Sequence, residues 1–340
     1  MIFDIVIVQC SSFGWISIAW ESQHSLGEQP LEIHPQLKSL LARLAAADYP
    51  DQTKVTPGEA REITDDRARK FYGPYDEVAS TLDITIPASP RPMSARVYRP
   101  EGKGPFPILV YYHGGGWVLG SLDSHDRGVR GLTRAAGCLS ISVSYRLAPE
   151  NPFPAAAEDC VAALDWIVKN AADYDGDPSR VAVGGDSAGG NLAAVVALKA
   201  RESGPNLAFQ LLIYPVVDSD LARKSYQEFA AAPMLPGHRM KYFWDQYVPV
   251  VEDRKSWRCA PLRAPDHSGL PPALVIAAGI DPLVDEGKEY FEKLSASGVD
   301  AHYKLYPRMT HAFFQAPGLL DDARSASDEA GNKLRKAFSV

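Results

Sequence analysis

Residues Gly185-Asp186-Ser187-Ala188-Gly189 set one serine among small neighbours, after the apolar run "RVAVGG" and before an alanine-rich stretch. A strand that turns sharply into a helix needs small residues at the corner, because the two chain directions nearly touch. Such a turn lifts the serine hydroxyl clear of the sheet. It also sets the hydroxyl at a helix N-terminus, where backbone N–H groups and the helix dipole favour negative charge. The chemistry this serves is nucleophilic attack by Ser187. Glycine-rich corners also bind phosphate, but neither G-x-G-x-x-G nor G-x-x-x-x-G-K-[ST] is met by these glycines or from Gly114.

A second motif, His113-Gly114-Gly115-Gly116-Trp117, closes another apolar run. Consecutive glycines let successive N–H groups point at one spot without a side chain in the way. With the N–H of Ala188, they would hold the negative oxygen of a tetrahedral intermediate.

A serine hydroxyl needs a base, and the base needs an acid to orient it. At a corner of this kind the acid and then the histidine follow the serine in chain order. Of the eight histidines, His302 falls within the strand-like "AHYKLYP", whereas His311 falls in the loop "RMTHAFF" just after it. His311 is therefore the expected base. The run "IAAGIDPLVDEG" offers two acids, Asp281 and Asp285. Asp281 follows the strand directly and is preferred; Asp285, one turn on, suits the start of a helix.

The elements around these motifs must bring them to one edge of a sheet. Residues 31–73 read as helical, with Leu37, Leu40, Leu41, Leu44 and Ala45 on one face and Pro57 and Gly73 bracketing a second segment. "STLDITIP" and "SARVYRP" alternate as strands. Beyond them, apolar strands alternate with helices, which predicts a mainly parallel sheet covered on both faces. More than fifty residues separate "LLIYPVV" from "ALVIAAG". An insertion of that length, rich in aromatics, reads as a lid; with the N-terminal helices it would cap the sheet's C-terminal edge.

Composition narrows the function classes. The 340-residue chain carries a net charge of −7 and no block of like charge, which argues against a nucleic-acid partner. Cys10, Cys138, Cys160 and Cys259 are far apart, so neither a metal nor a redox pair is expected; buried thiols and a cytoplasmic, reducing location fit better. The first twenty residues are apolar but interrupted by Asp4, Gln9 and serines, and no basic segment precedes them. They fit neither a secretory signal nor a membrane span, and read as an extra segment or a displaced start.

HGGGW, YRLAPE, GDSAGGN, DPLVDEG and the THAF histidine together resemble the hormone-sensitive-lipase family of α/β-hydrolases, nearest its bacterial family IV, GDSAG-bearing carboxylesterases. The resemblance runs from about residue 31 to 338. It implies an eight-stranded, mainly parallel sheet flanked by helices, with a cap formed by residues 31–75 and an insertion at about 217–250; residues 1–30 depart from the pattern. It implies Ser187 as nucleophile, Asp281 as acid and His311 as base. An oxyanion hole would come from Gly115, Gly116 and Ala188, with Gly114 shaping the turn and Trp117 beside the substrate. No cofactor is implied. The implied activity is hydrolysis of short- to medium-chain carboxylic esters; an amidase or deacetylase, or a catalytically silent ligand-binding member, are the alternatives. A homodimer through the strand near 301–306 is the expected assembly.

Overall fold

A computed structural model describes residues 32–87 and 91–339. The expectations for residues 1–30, Cys10 included, fall outside the described residues.

Two helices come first. Helix α1 (Pro35–Ala46) buries Leu37 and Leu40, while Leu41 and Leu44 are partly covered and Ala45 is exposed. Helix α2 (Pro57–Phe71) starts at a capping box: Thr56 Oγ accepts from the Glu59 N–H, and the Glu59 carboxylate accepts from the Thr56 N–H. Strands β1 (Ser80–Ile86) and β2 (Met93–Arg99) form an antiparallel pair. There follow β3 (Phe106–Tyr112), α3 (Asp126–Ala136), β4 (Leu139–Val143), α4 (Ala155–Asn170), β5 (Gly176–Asp186), α5 (Ala188–Ser203) and β6 (Phe209–Ile213). The insertion contributes α6 (Lys224–Glu228) and α7 (Gly237–Tyr247). The chain closes with β7 (Ala273–Ile280), α8 (Val284–Ala296), β8 (Ala301–Thr310) and α9 (Asp321–Phe338).

The strands join in one eight-stranded sheet of order β1-β2-β4-β3-β5-β6-β7-β8. β1 and β2 run antiparallel at one edge, and β4 through β8 pair in parallel with β3 among them. Every residue of β4, β6 and β7 is buried. That is why these strands read as unbroken apolar runs: both faces are covered.

Alternation along each strand feeds two cores. On β3, Ile108, Val110 and Tyr112 join the side packed by α4 and α5, with Leu164 and Leu192. Leu109 and Tyr111 join the other side, with Leu132 of α3, Leu334 of α9 and Leu37 of α1. The same split sends Val181 and Val183 one way and Ala182 the other on β5. Cys138, Cys160 and Cys259 are buried free thiols. Among the described residues no helix is long and apolar enough to cross a membrane.

Candidate active site

The parallel strands deliver their C-terminal ends to one edge, and the sequence motifs meet there. Ser187 joins β5 to α5 with φ 56° and ψ −119°, a left-handed conformation rare for a side-chain-bearing residue. The corner is held by the Ser187 N–H donating to Ile213 O at 2.8 Å, and by the Ser187 carbonyl accepting from Asn191 N at 3.0 Å and Val216 N at 3.2 Å. A Cβ on Gly189 would run into the Tyr112 carbonyl, so helix and neighbouring strand approach only because that residue is glycine.

His311 follows β8 directly. Its Nε2 lies 2.8 Å from Ser187 Oγ, and its Nδ1 lies 2.7 Å from Asp281 Oδ2. A carboxylate on Nδ1 fixes the proton there and leaves Nε2 as acceptor for the serine hydroxyl. Asp281 is fully buried, and its Oδ1 accepts from the Leu283 N–H at 3.0 Å. The second candidate acid, Asp285, points elsewhere: its Oδ2 accepts from the Ser225 N–H at 2.9 Å, in the first turn of α8. His302 of β8 lies 3.3 Å from Asp300, just before the strand, away from this group.

Gly115 and Gly116 line the same cavity as Ser187 and His311, with φ of 115° and 60° that suit glycine. Ala188 opens α5, so its N–H has no acceptor within the helix. Gly114 is used differently. Its N–H donates to Asp186 Oδ1 at 3.0 Å, which also accepts from Tyr111 Oη at 2.8 Å. Asp186 Oδ2 stands 3.4 Å from His125 Nε2. Burial alone would push this carboxyl up; the His125 imidazole, together with the Tyr111 hydroxyl, outweighs it and holds the group below its usual value. Asp186 thus ties the glycine loop to the serine corner, a role not read from the sequence. The signal was present: an acidic residue inside a motif where every neighbour is small and buried needs a local partner. His113, sealed beneath the loop, is pushed down to about 4 by burial and by nearby His125.

The placement expected for Trp117 is corrected. The chain turns left-handed there, at φ 60°, and the ring goes into the core. It stacks on Tyr247 at 4.3 Å and lies 5.0 Å from Trp244, with none of it exposed. The aromatics that line the cavity are Tyr72, which follows α2, and Phe243 of α7, the latter against Gly116. The rest of the roof was also unread: Arg67 of α2, with Met234, Leu235 and Arg239 of the insertion. The cavity has a volume of about 110 Å³. Among the described residues no three His, Cys, Asp or Glu side chains stand together as a metal-holding group.

A sequence model of the α/β-hydrolase fold matches residues 109–315, more than half of the chain. The chain belongs to the α/β-hydrolase family. This α/β-hydrolase is 44% identical over 248 residues to carboxylesterase NlhH of Mycobacterium tuberculosis, covering 72% of this chain and 78% of that one. It is 42% identical to carboxylic ester hydrolase LipN of the same organism, over 78% of this chain and 73% of the relative. Among solved structures, ester hydrolase EH1AB1 from the metagenome of Lake Arreo superposes with a TM-score of 0.86 at 38% identity, covering 91% of this chain and all of that one. The hydrolase is therefore of the hormone-sensitive-lipase type that its motifs resemble.

Proposed function

We propose that this α/β-hydrolase is a serine carboxylesterase that cleaves short- to medium-chain carboxylic esters through an acyl-enzyme. The observation that carries the reading is the hydrogen-bonded run from Ser187 through His311 to Asp281, with Ser187 and His311 lining a roofed cavity. Ser187 Oγ attacks the ester carbonyl while His311 Nε2 takes its proton. The carbonyl oxygen becomes an oxyanion, received by the N–H groups of Gly115, Gly116 and Ala188. His311 returns the proton to the departing alcohol, and water repeats the sequence on the acyl-serine. Asp281 steadies the imidazolium throughout.

The chain-length range follows from the cavity. Each buried methylene adds about 0.8 kcal/mol, or roughly four-fold in kcat/KM where the gain is expressed in the transition state. A cavity of about 110 Å³ roofed by Leu235 and Phe243 ends that gain early. Rates should rise from acetyl to about butyryl or hexanoyl p-nitrophenyl esters and then fall. A maximum at long acyl chains, or activation at an oil–water interface, would make the protein a lipase. A p-nitroanilide cleaved faster than the matching ester would make it an amidase. The N-terminal helices and the insertion act in this reading as the cap. A dimer would form through β8, an edge strand whose Leu305 is exposed; light scattering that finds only monomer at high concentration rejects it. A cytoplasmic location completes the proposal, and fractionation of expressing cells tests it.

A further inference from the structure

Two arginines from distant parts of the chain, Arg67 on α2 and Arg239 on α7, meet in the roof of the cavity that holds Ser187 and His311. Their Nε atoms are both buried and have no hydrogen-bond partner. What the two guanidiniums do contact is nearly all neutral. Arg67 donates to Gln52 Oε1 at 3.2 Å and lies over the Tyr49 ring at 4.9 Å. Arg239 donates to the Met234 carbonyl at 3.0 Å, and its nearest carboxylate, Asp51, is 3.9 Å away. Asp51 is itself engaged, accepting from the Thr53 N–H and hydroxyl at 3.0 Å each.

Of the other acids nearby, Asp48 lines an outer cleft with both arginines and makes no ion pair with either, and three more are committed elsewhere. Asp186 serves Gly114 and Tyr111, Asp65 accepts from Ser121 Oγ, and Asp66 pairs with Lys70. Two partly buried cations with buried, unpartnered Nε atoms thus face one partly exposed carboxylate at 3.9 Å, an arrangement that costs free energy unless something anionic completes it. Burial lowers the pKa of both guanidiniums, as expected where solvation is lost without full replacement. A guanidinium offers a planar fork of N–H donors, and its natural complement is a carboxylate.

Resting on the esterase reading above, we propose that the cavity takes an ester bearing a free carboxylate a few bonds from the scissile carbonyl, with Arg67 and Arg239 holding the carboxylate and Ser187 attacking the ester. Leu119, Leu235 and Phe243 supply the apolar wall along which the connecting methylenes lie. Arg67 and Arg239 are specificity residues in this view; the reacting atoms are served by the groups at the other end.

The test uses matched pairs followed by pH-stat. Monomethyl glutarate, with its carboxylate on the acyl side, is compared with its neutral carbamoyl isostere. A second pair, 4-acetoxybutanoate and 4-acetoxybutanamide, places the carboxylate on the alcohol side. The wild-type protein should prefer the anionic member of one pair by roughly ten-fold or more in kcat/KM, chiefly through KM, as charge-assisted hydrogen bonds imply. Arg67→Met and Arg239→Met should each pull that ratio toward one, and Arg239→Lys should keep part of it. Anionic-to-neutral ratios at or below one in both pairs overturn the inference, and this measurement needs no variant. A preference that survives replacement of both arginines overturns it too. If p-nitrophenyl butyrate is hydrolysed while both ratios stay at or below one, the esterase reading stands and this inference falls. If the folded wild-type protein hydrolyses no ester, both fall.

Discussion

The floor and the roof of the cavity are built by opposite rules. On the floor, Ser187, His311, Asp281 and Asp186 are all buried, and each meets a named partner at 3.0 Å or less. On the roof, Arg67 and Arg239 keep unpartnered nitrogens, and Met234 sits at φ 70°. Floor side chains already hydrogen-bonded to one another are preorganised: they need no rearrangement as charge develops on the substrate. A roof with donors to spare is complete only around a ligand. The chemistry is fixed below and the choice of substrate is made above.

The comparison is broken most severely by removing a floor group. Ser187→Ala, His311→Ala and Asp281→Asn should each lower kcat by roughly 10⁴-fold or more, and the combined variants should lose little beyond the worst single one, since the three act as a unit. Steady-state kinetics on p-nitrophenyl butyrate, with circular dichroism to establish folding, provide the check. A mild Asp281→Asn beside a crippling Asp285→Asn would reverse the assignment of the acid.

Next in size is Asp186→Ala. It leaves the Gly114 N–H and the Tyr111 hydroxyl without their acceptor and frees the glycine loop from the serine corner. A fall in kcat of roughly 10- to 100-fold with a modest change in KM is expected, smaller than the loss of a whole oxyanion donor pair. Unchanged kcat would mean that the loop is positioned without Asp186.

Changes in the roof should alter selectivity more than rate. Phe243→Leu gives up ring volume against Gly116 and should favour octanoyl over butyryl esters by a few-fold relative to the wild type. An unchanged acyl-chain profile would place the end of the cavity elsewhere.

The smallest effect is on stability. Glu286, fully buried on α8, accepts from the Val217 N–H at 2.8 Å and the Tyr226 hydroxyl at 3.1 Å, and so fastens the root of the insertion. Burial pushes it from an ordinary 4.5 up to about 8. Between those values the folded protein keeps a proton that the unfolded chain releases, so this group's contribution falls as pH rises from 4.5 to 8 and is level above. Glu286→Gln should flatten that part of the stability curve. Denaturant titrations at pH 5 and pH 8 measure the slope, and equal slopes in both proteins would count against the raised value.

The floor could be read in the sequence because backbone geometry restricts it to particular residue types at short spacing. A left-handed serine between strand and helix demands Gly189, free donors at the cavity demand Gly115 and Gly116, and the close approach to Asp186 demands Gly114. Strand order then places Asp281 and His311 on the same edge. The roof left no such trace. Arg67 lies in "DDRARK", which reads as a solvated helical face until α7 covers it, and only the packing of α2 against a segment far along the chain brings Arg239 beside it. Trp117 was misplaced for a related reason. Adjacency to a glycine loop does not say to which side of a left-handed turn a ring is sent, and here the stacking on Tyr247 decides it.

The 124 positions that separate Ser187 from His311 also set an order in time. On a ribosome adding 5–20 residues per second, the serine corner is made roughly 6 to 25 s before its base. Through that interval the nascent chain holds a serine hydroxyl without His311, the base it is hydrogen-bonded to in the finished fold. The enzyme is switched on only when β8 adds itself to the sheet's edge and carries His311 into reach, so completion of the sheet and onset of activity are one event.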